Sequence, residues 1–457
     1  MPNLSLPELV KRYDRPGPRY TGYPMPPVWR DHFPQEEAIA ALARANARPQ
    51  EALSLYAHLP FCKRRCSYCG CNVVVSPQYT PVEAYLQALE AEVDLWARHL
   101  PDRRHAIQLH WGGGTPTYLK VPELRRAFQI ITDRFPLLPQ AEVAVEVDPT
   151  FLEPDQLPAL RELGFNRVSF GVQDLDDHVQ ALITRGQTWD QTLATVKQAR
   201  ELGFAGVNLD LVYGLPGQTL DTFRHTLEAT LELAPNRMAI YGFAYLPSML
   251  AHQRSIPTDT LPTPGLRLEL LLLATEILES HGYVAVGMDH FARPDDELAK
   301  AVQDGRIIRN FMGYAVQAGS DALGFGPSAI SDVGDAYLQN EKILAKWERE
   351  VNAGRFALHK GHVRSRDDQM RRWIIHRLMG TFQLRWEEVQ QRWGVGRDHF
   401  LDALEELKQE EPYGVLELRD EGIFITATGQ RFVRNLVFPF DAYLKAMAAK
   451  TTFSRTV

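Results

Sequence analysis

Residues 53–71 read LSLYAHLPFCKRRCSYCGC, an apolar run that leads into a dense group of cysteines. Leu53–Leu59 has the length and composition of a buried β-strand. The segment from Cys62 to Cys71 holds all four cysteines of the 457-residue chain, in a C-x-x-x-C-x-x-C-x-C pattern. The pattern predicts a strand whose carboxyl end carries a metal centre.

Crowded thiolates are favourable only near a positive centre, so this cluster indicates metal ligands. The first three cysteines have a spacing that suits an iron–sulfur cluster held by three thiolates. A four-iron cluster would then keep one iron open for another ligand. Two alternatives stay open at this point: a closed zinc site that uses all four thiolates, and cysteines that bind no metal.

Strands and helices alternate from residue 53 onward, which predicts a parallel α/β sheet with right-handed crossovers. After Leu53–Leu59 the strand candidates are Ile107–Trp111, Glu142–Val147, Arg167–Val172, Val207–Val212, Met238–Phe243 and Tyr283–Met288. The helical patterns are Val82–His99, Glu123–Phe135, Asp155–Leu163, Trp189–Leu202, Thr219–Leu233 and Leu266–Ser280. Six or seven units are too few to close an eight-stranded barrel, so we predict an open, partial (β/α)6-type barrel.

Polar and glycine-rich segments follow the predicted strands one after another. They are Cys62, Gly112–Pro116, Asp148–Pro149, Gln173, Gly214–Gly217 and Tyr245. The carboxyl ends of parallel strands meet at one edge of a sheet, where active sites form. We therefore expect these segments to line a single mouth.

Each of these features also has a purely structural interpretation. The Gly112–Gly114 run alone is typical of a tight strand-to-helix turn. Glu146, Gln173, Arg185 and Asp210 are single polar residues that commonly serve as structural hydrogen-bonding groups. Asp210 stands out because its apolar neighbours predict burial, and a carboxylate there can accept ribose hydroxyls.

Two further stretches carry charge. Met288–Asp296 contains a possible metal or acid/base cluster, although its composition is typical of a turn-rich loop. Lys63, Arg64 and Arg65 are either a solvated loop face or a docking patch for an acidic electron donor. The histidines are scattered, and the sequence assigns none of them a role.

Regions with a different composition flank the predicted barrel. Residues 1–52 form an N-terminal extension, expected to contact the active-site mouth, whose Pro16–Pro24 stretch excludes a regular helix. The barrel takes residues 53–360. Residues 361–457 predict a small, mainly helical C-terminal domain with helices Arg366–Thr381, Arg385–Trp393 and His399–Glu410 and a hairpin of Val415–Arg419 and Ile423–Thr426.

The composition is that of an ordinary soluble globular protein, with 45% hydrophobic and 23% charged residues. A formal charge of −7 argues against a general nucleic-acid or membrane-surface protein. The most apolar stretch, Leu266–Leu278, contains charged residues and is too short to cross a bilayer. The N-terminus has no signal-peptide pattern, so the clustered cysteines predict a reducing, cytoplasmic location.

At this level of detail the chain resembles the radical S-adenosylmethionine (SAM) superfamily. Within that superfamily it is similar to the oxygen-independent coproporphyrinogen III oxidase (coproporphyrinogen dehydrogenase) family over essentially its whole length. The segments that carry the resemblance are Pro18–Thr21, Tyr23–Pro24, Cys69–Asn72, His110–Thr117, Gly171–Gln173, Tyr213–Pro216, Met288–Leu298 and Gly324–Ser331.

The resemblance implies roles for individual residues. Cys62, Cys66 and Cys69 would hold a four-iron, four-sulfur cluster, and two SAM molecules would bind beside it. Tyr56 and Cys71 are implied as catalytic residues, with Cys71 next to the cluster and not a ligand. The residues implied around the cluster-bound SAM are Tyr56, Gly113, Glu146, Ala244 and Ile330. Those implied around the second SAM are Tyr68, Gly114, Thr115, Gln173, Arg185 and Asp210.

The resemblance also implies the chemistry. An electron from the cluster would cleave SAM, and the resulting 5′-deoxyadenosyl radical would take a hydrogen from a propionate β-carbon of coproporphyrinogen III. Loss of carbon dioxide and one electron gives a vinyl group, and two such reactions give protoporphyrinogen IX in haem biosynthesis. The implied partners are the substrate and a flavodoxin- or ferredoxin-type donor, with no nucleic acid or membrane partner and a monomeric chain.

Some features remain open. A substrate with four carboxylates needs cations, and Arg19, Arg254, Arg293 and Arg309 are candidates. Tyr245 stands where we expect the family to carry histidine, which weakens any role for this side chain. The alternative function is that of a related haem chaperone, a binding protein that shares the cysteine and glycine motifs.

Overall fold

The strand that precedes the cysteines alternates between two kinds of side chain. In the computed structural model, which describes residues 4–76, 79, 81–447, 453 and 455, Leu53, Leu55, Ala57 and Leu59 are fully buried. Ser54, Tyr56 and His58 take the positions between them and point to the opposite face of the sheet. A strand of this kind needs neighbours on both sides and cover on both faces, which a parallel sheet provides.

The described residues form two compact units, of which the larger comprises residues 30–277 and 317–363. Its parallel strands are β1 (Leu53–Leu59), β2 (Ala106–Gly113), β3 (Leu137–Val147), β4 (Arg167–Gln173), β5 (Gly206–Tyr213), β6 (Arg237–Gly242) and β7 (Asp321–Phe325). They lie in the order β7-β1-β2-β3-β4-β5-β6, and each is parallel to its neighbours.

Helices connect the parallel strands, as the alternation of patterns predicts. Between β1 and β6 they are Pro81–His99, Val121–Thr132, Gln156–Glu162, Asp177–Leu182, Trp189–Glu201 and Leu220–Glu232, and Pro264–Ser280 follows β6. The other helices of this unit are Gln35–Asn46 and Leu344–Asn352. The apolar faces of these helices cover the sheet.

Beyond β7 the sheet continues in antiparallel fashion. The added strands are, in spatial order, Ile330–Val333, Ala336–Asn340, Leu358–Val363 and Arg30–Asp31. Among the described residues of this unit no pairing joins Arg30–Asp31 to β6, so the sheet stays open. The open, partial barrel predicted from the sequence is confirmed.

A row of polar side chains crosses the inner face of the sheet below the mouth, nearer the amino ends of the strands. Ser54 donates to Gln108 at 3.0 Å, Gln108 donates to Glu142 at 3.2 Å, and Glu142 pairs with Arg167 at 2.7 Å. These residues come from β1, β2, β3 and β4. Each hydrogen-bonding group has a partner in the next strand, so this polar row is compatible with burial.

The smaller unit comprises the described residues up to Trp29, residues 278–316 and the described residues from Arg364 onward. Its helices are Leu6–Tyr13, Glu297–Gln303, Arg366–Thr381, Trp386–Trp393, Leu401–Lys408, Ala427–Gln430, Val433–Leu436 and Leu444–Met447. Its strands are Val284–Gly287, His290–Ala292, Ile308–Asn310, Gly313–Ala315, Gln383–Arg385, Leu416–Arg419 and Gly422–Ile425. The helices and hairpin predicted after residue 361 are present, with Gln383–Arg385 as a third strand.

Two elements differ from the sequence predictions. The candidate Tyr283–Met288 is a strand, Val284–Gly287, that pairs antiparallel with His290–Ala292. Met288 has a φ of +46°, so the chain turns back immediately after it. Strand β7 was not predicted, because its five residues gain their place from parallel pairing with β1, 268 positions earlier in the chain.

The Pro/Gly-rich stretch before Pro24 is irregular, as predicted, and is held within the smaller unit. Arg434 donates to the backbone carbonyls of Gly17 and Pro18, and the Tyr20 hydroxyl donates to Asp441 at 2.8 Å. None of the described helices of the chain is long and apolar enough to cross a bilayer. The division of the sequence at residues 52 and 360 stays a prediction.

Candidate active site at the carboxyl ends of the strands

The cysteine loop leaves the carboxyl end of β1 and is closed at its base. Phe61–Cys62 pairs with Val74–Val75 in a short parallel ladder. Ser67, at the middle of the loop, bonds through its backbone N–H to the carbonyl of Ile183 at 2.9 Å and through its hydroxyl to that of Leu182 at 3.0 Å. These contacts fix a loop that would otherwise carry its thiols on a flexible segment.

Three of the four sulfur atoms have a hydrogen-bond partner, and each partner is a different residue. The Thr115 hydroxyl lies 3.5 Å from Cys62 Sγ, Arg185 Nη1 lies 3.8 Å from Cys66 Sγ, and the Cys71 backbone N–H lies 3.4 Å from Cys69 Sγ. Cys62, Cys66 and Cys69 are partly buried, whereas Cys71 is exposed. The loop therefore distinguishes the first three cysteines from the fourth.

The donor set fits a cluster better than a single ion. Among the described residues, no three His, Cys, Asp or Glu side chains converge closely enough to bind one metal ion. A four-iron cluster held by three cysteines has one thiolate on each of three irons, so its ligands need to surround a volume and not a point. Burial raises the pKa of Cys62 to about 11, so a cationic cluster would favour the thiolate that the free loop disfavours.

Close approach explains the run of glycines at the end of β2. A Cβ atom on Gly112 would lie 2.7 Å from the Glu146 carboxylate, and one on Gly113 would lie 2.5 Å from the His58 ring. A Cβ on Gly114 would lie 2.6 Å from the backbone of Pro60. Gly113 also has a φ of +107°, which side chains with a Cβ rarely adopt. The three glycines let β2 pack directly against the cysteine loop and Glu146.

Glu146 is the acidic group at the centre of the mouth. Its Oε1 lies 3.0 Å from His110 Nε2, and its Oε2 accepts from the Gly113 backbone N–H at 3.3 Å. Burial alone would raise the pKa of Glu146, but the bonds from His110 and Gly113 hold it below its usual value. About 44% of the side-chain surface remains accessible, so the carboxylate can still accept a cationic ligand.

Tyr56 and two histidines extend this arrangement. The Tyr56 ring stacks on His110 with 6.0 Å between ring centroids, and its hydroxyl lies 3.1 Å from His58 Nδ1. His58 Nε2 lies 2.8 Å from the Asn72 carbonyl, which can only accept, so Nε2 carries the proton and Nδ1 accepts from Tyr56. Burial lowers the pKa of His58 and raises that of Tyr56, so both stay neutral near pH 7.

Neither histidine was assigned a role from the sequence. Their signal lies in the strand alternation: His58 is two positions after Tyr56, and His110 is two positions before Gly112. Residues two apart on a strand share a face. Once Tyr56 and Gly112 are assigned to the inner face of β1 and β2, the alternation of the strands predicts that His58 and His110 lie on that face too.

Asp210 lies on β5 in a small hydrogen-bonded group. It accepts from the Ser169 hydroxyl at 2.8 Å and from the Asn208 amide at 2.8 Å, and Asn208 also donates to Ser169 at 2.8 Å. Burial raises the pKa of Asp210 to about 6, despite these donors. Asp210 thus has a fixed orientation, and its carboxylate oxygens can accept further hydrogen bonds.

Arg185 joins the cysteine loop to β3 and β4. It is 5% exposed, and Nη2 bonds to Asp148 Oδ1 at 3.1 Å and to the Gly171 carbonyl at 2.6 Å. Gln173 ends β4 with a φ of +69°, an unusual conformation for a residue with a side chain. The contacts of Arg185 place its side chain beside Cys66, at the end of the sheet where β4 terminates at Gln173.

The last predicted residues, Tyr68, Ala244 and Ile330, lie on separate segments. The buried amide of Gln253 donates to the carbonyls of Tyr68 at 3.2 Å and Ala244 at 3.0 Å, and its Oε1 accepts from Leu246 N–H at 2.5 Å. Gln253 therefore ties the cysteine loop to the segment after β6, a function that no sequence pattern indicates. Ile330 begins the strand after β7, where its carbonyl leaves no room for a Cβ on Gly324.

The chain is similar to several known proteins. A family model described as the radical SAM superfamily matches residues 56–230. Oxygen-independent coproporphyrinogen III oxidases from Salmonella typhimurium and Escherichia coli are 42% and 41% identical to this chain, over 98% of it and 98% of each relative. The protein of that name from Synechocystis is 38% identical over 98% of this chain and 97% of its own length.

A solved structure is also similar to this chain. Coproporphyrinogen III oxidase from Escherichia coli, described as a radical SAM enzyme, has a TM-score of 0.91 and 41% sequence identity. The match covers 96% of this chain and 98% of that structure. The similarity extends over both chains and is not confined to the segment that holds the cysteines.

Proposed function

Because this chain belongs to the oxygen-independent coproporphyrinogen III oxidase family of the radical SAM superfamily, we propose that it catalyses the oxidative decarboxylation of coproporphyrinogen III. Two propionate side chains become vinyl groups, and the product is protoporphyrinogen IX in haem biosynthesis. The proposal is supported by one observation: three cysteine sulfurs, each with a hydrogen-bond partner, and the Glu146 carboxylate lie at the same mouth.

The proposed cluster ligands are Cys62, Cys66 and Cys69, which differ from Cys71 in exposure and in the donors they receive. When bound, a four-iron cluster with SAM on its open iron would supply the radical that removes a hydrogen atom from the β-carbon of each of the two propionates that react. The protein holds the groups in place and keeps water and oxygen away. The Cys71 N–H and the Thr115 hydroxyl also stabilise negative charge on the sulfurs.

For the SAM on the cluster, the proposed contacts are Tyr56, Gly113, Glu146, Ala244 and Ile330. Glu146 is charged and accessible, so it can accept the ammonium group of SAM. Tyr56 donates its hydroxyl proton to His58, which fixes the ring beside His110. We propose Tyr56 and Cys71 as the catalytic residues, since the buried Tyr56 hydroxyl keeps its proton and Cys71 is an exposed residue beside the proposed cluster ligands.

A second SAM molecule would bind against Tyr68, Gly114, Thr115, Gln173, Arg185 and Asp210. Asp210 keeps acceptor capacity for hydroxyl groups, because its two donors leave other lone pairs free. Arg185 presents a positive charge that Asp148 fixes in orientation. Asp210 lies on β5, a strand that supplies none of the proposed contacts of the first SAM, so Asp210 can be altered without changing those contacts.

An external protein must deliver the electrons, and we propose a flavodoxin- or ferredoxin-type donor. Lys63 and Arg65 are exposed beside the cluster ligands, whereas Arg64 is half-buried with its guanidinium 5.0 Å from the Phe151 ring centroid. Lys63 lies 5.2 Å from the same ring. The exposed charges of this segment suit an acidic partner. A cytoplasmic location and a monomeric state remain predictions.

The test uses the protein reconstituted with iron and sulfide under anaerobic conditions. With SAM, a reductant and coproporphyrinogen III, the expected product is protoporphyrinogen IX, with two carbon dioxide molecules released and two SAM molecules consumed for each. Omission of SAM is the control. Stable binding of haem without any conversion would instead identify a haem chaperone and overturn the proposal.

A further inference from the structure

Arg309 is a buried cation in the smaller unit. The residue is 6% exposed, and its Nε and Nη1 atoms are buried and make no hydrogen bond with the described residues. A buried guanidinium without a carboxylate partner is costly. Arg306, three positions earlier, is exposed and pairs with Asp304 at 2.6 Å. The burial of Arg309 therefore calls for a different explanation from that of its neighbour.

Tyr314 presents a second unspent donor on the same face. Arg309 and Tyr314 are direct partners in the Ile308–Asn310 and Gly313–Ala315 hairpin, so their side chains lie side by side. The Arg309 guanidinium carbon lies 4.6 Å from the Tyr314 ring centroid. The Tyr314 hydroxyl is buried and, within the described chain, has no hydrogen-bond partner. The hairpin thus offers guanidinium N–H groups and one O–H group together.

The acidic residue near this pair is already engaged. Asp289 forms an ion pair with Arg19, and that charge holds the pKa of Asp289 below its usual value although burial opposes this. Arg19, Arg309 and Asp289 together carry one more positive than negative charge. The His290 ring lies beside Tyr314, with 5.3 Å between centroids, and adds no negative charge.

The remaining candidate arginines are accounted for by other contacts. Arg293 pairs with Asp295 at 3.0 Å, and Arg254 donates to the carbonyl of Pro247 at 3.0 Å. Arg19 is the partner of Asp289. Of the four arginines named as candidates for the substrate carboxylates, Arg309 is the one whose buried nitrogen atoms make no hydrogen bond with the described residues.

We propose that Arg309 and Tyr314 form a carboxylate-binding subsite that takes one propionate of the tetrapyrrole substrate. A carboxylate supplies the one negative charge that would balance Arg19, Arg309 and Asp289. Its two oxygens can accept hydrogen bonds from the guanidinium and the phenol. The inference rests on the proposed function for the identity of the ligand. The preference for an anion follows from the donors of Arg309 and Tyr314 and from the net positive charge around them.

The test is an equilibrium titration with coproporphyrin III, the fluorescent oxidised form of the substrate that keeps its four carboxylates. Its tetramethyl ester, which has the same ring and no charge, is titrated in parallel. Arg309→Met should weaken binding of the acid about 10- to 100-fold, the range typical of a lost charged hydrogen bond. Binding of the ester should not change. Tyr314→Phe should weaken binding of the acid several-fold.

Arg306→Met is the matched control, because it removes the same charge from an exposed position beside the hairpin. Thermal unfolding without ligand provides a second readout. Arg309→Met should unfold at the same temperature as the wild type or higher, because it removes an unpaired buried charge. A structural arginine would instead lower the unfolding temperature on removal.

Two results would overturn the subsite. One is binding of coproporphyrin III by Arg309→Met within twofold of Arg306→Met, and the other is an equal loss of affinity for the acid and the ester. If the wild type converts coproporphyrinogen III while either result holds, the subsite fails and the proposed function stands. A wild type that neither binds nor converts the tetrapyrrole removes both.

Discussion

Glu146 and His110 face each other across neighbouring strands, with 3.0 Å between Glu146 Oε1 and His110 Nε2. The pKa of His110 is raised, because the Glu146 bond and charge outweigh the opposing effect of burial. The pKa of Glu146 is lowered by the same contact. Glu146 therefore ionises below its ordinary pKa of 4.5, and His110 stays protonated above its ordinary pKa of 6.5. Both groups are charged throughout the pH range between these two values.

The first prediction concerns this pair in the cluster-free protein. The imidazole resonance that disappears in His110→Asn should titrate above pH 6.5, and its midpoint should fall in Glu146→Gln. The other charged groups that act on His110 are Glu142 and Asp210, and both favour its protonated form. As the pH rises through the pKa of His110, the stabilisation from the pair is lost. A midpoint below 6.5 in the wild type contradicts this assignment.

The second prediction separates the four cysteines. Serine at Cys62, Cys66 or Cys69 should abolish iron binding, because an alkoxide replaces a soft thiolate poorly. Cys71→Ser should retain most iron and the broad visible absorption. Iron content and absorption are measured on the four variants reconstituted side by side. Equal losses in Cys71→Ser and Cys66→Ser would show that the division into three ligands and one neighbour is wrong.

The third prediction concerns reduction of the cluster. Lys63→Glu and Arg65→Glu should slow electron transfer from a flavodoxin or ferredoxin and leave reduction by dithionite nearly unchanged. Lys197→Glu, a charge reversal on an exposed helix, is the matched control. The rate with the protein donor should also fall with added salt, since the screening length is about 10 Å at 0.1 M. A rate that does not respond to salt would argue against charge steering at this segment.

The fourth prediction concerns the second SAM site. Asp210→Asn keeps the shape of the side chain and removes its charge, a change that typically costs about 1.5–3 kcal/mol per charged hydrogen bond. In Asp210→Asn the iron content should stay normal and 5′-deoxyadenosine should form in part. Conversion of coproporphyrinogen III should fall steeply in both Asp210→Asn and Arg185→Ala. Asp190→Asn, on an exposed helix start, is the control. Wild-type yields of protoporphyrinogen IX from the first two variants would reduce both residues to structural roles.

The sequence predicts the barrel well because its signal is local. Strands such as Leu53–Leu59 are apolar runs of the right length, and the structure gives β1 the same bounds. The mouth is predictable for the same reason, since functional groups follow the ends of successive strands. Within the larger unit, the structure brings Cys62, Cys66, Glu146 and Arg185 to that one end.

What the sequence does not reveal depends on distant contacts. Gln253 binds the carbonyls of Tyr68 and Ala244, and no local pattern marks a glutamine for that position. Strand β7 is too short to stand out without its partner β1. Met288–Asp296, which reads as a turn-rich loop, contains the carboxylate that pairs with Arg19 from the N-terminal region. Each of these features arises only when residues far apart in the chain meet.

Hydrogen abstraction from the substrate can be followed with a deuterium label. Coproporphyrinogen III with deuterium on the propionate β-carbons is incubated anaerobically with the reconstituted protein, SAM and reductant, and the 5′-deoxyadenosine is analysed by mass spectrometry. One deuterium should appear in the 5′-deoxyadenosine for each vinyl group formed. Vinyl groups formed alongside unlabelled 5′-deoxyadenosine would contradict hydrogen abstraction by the SAM-derived radical at this site.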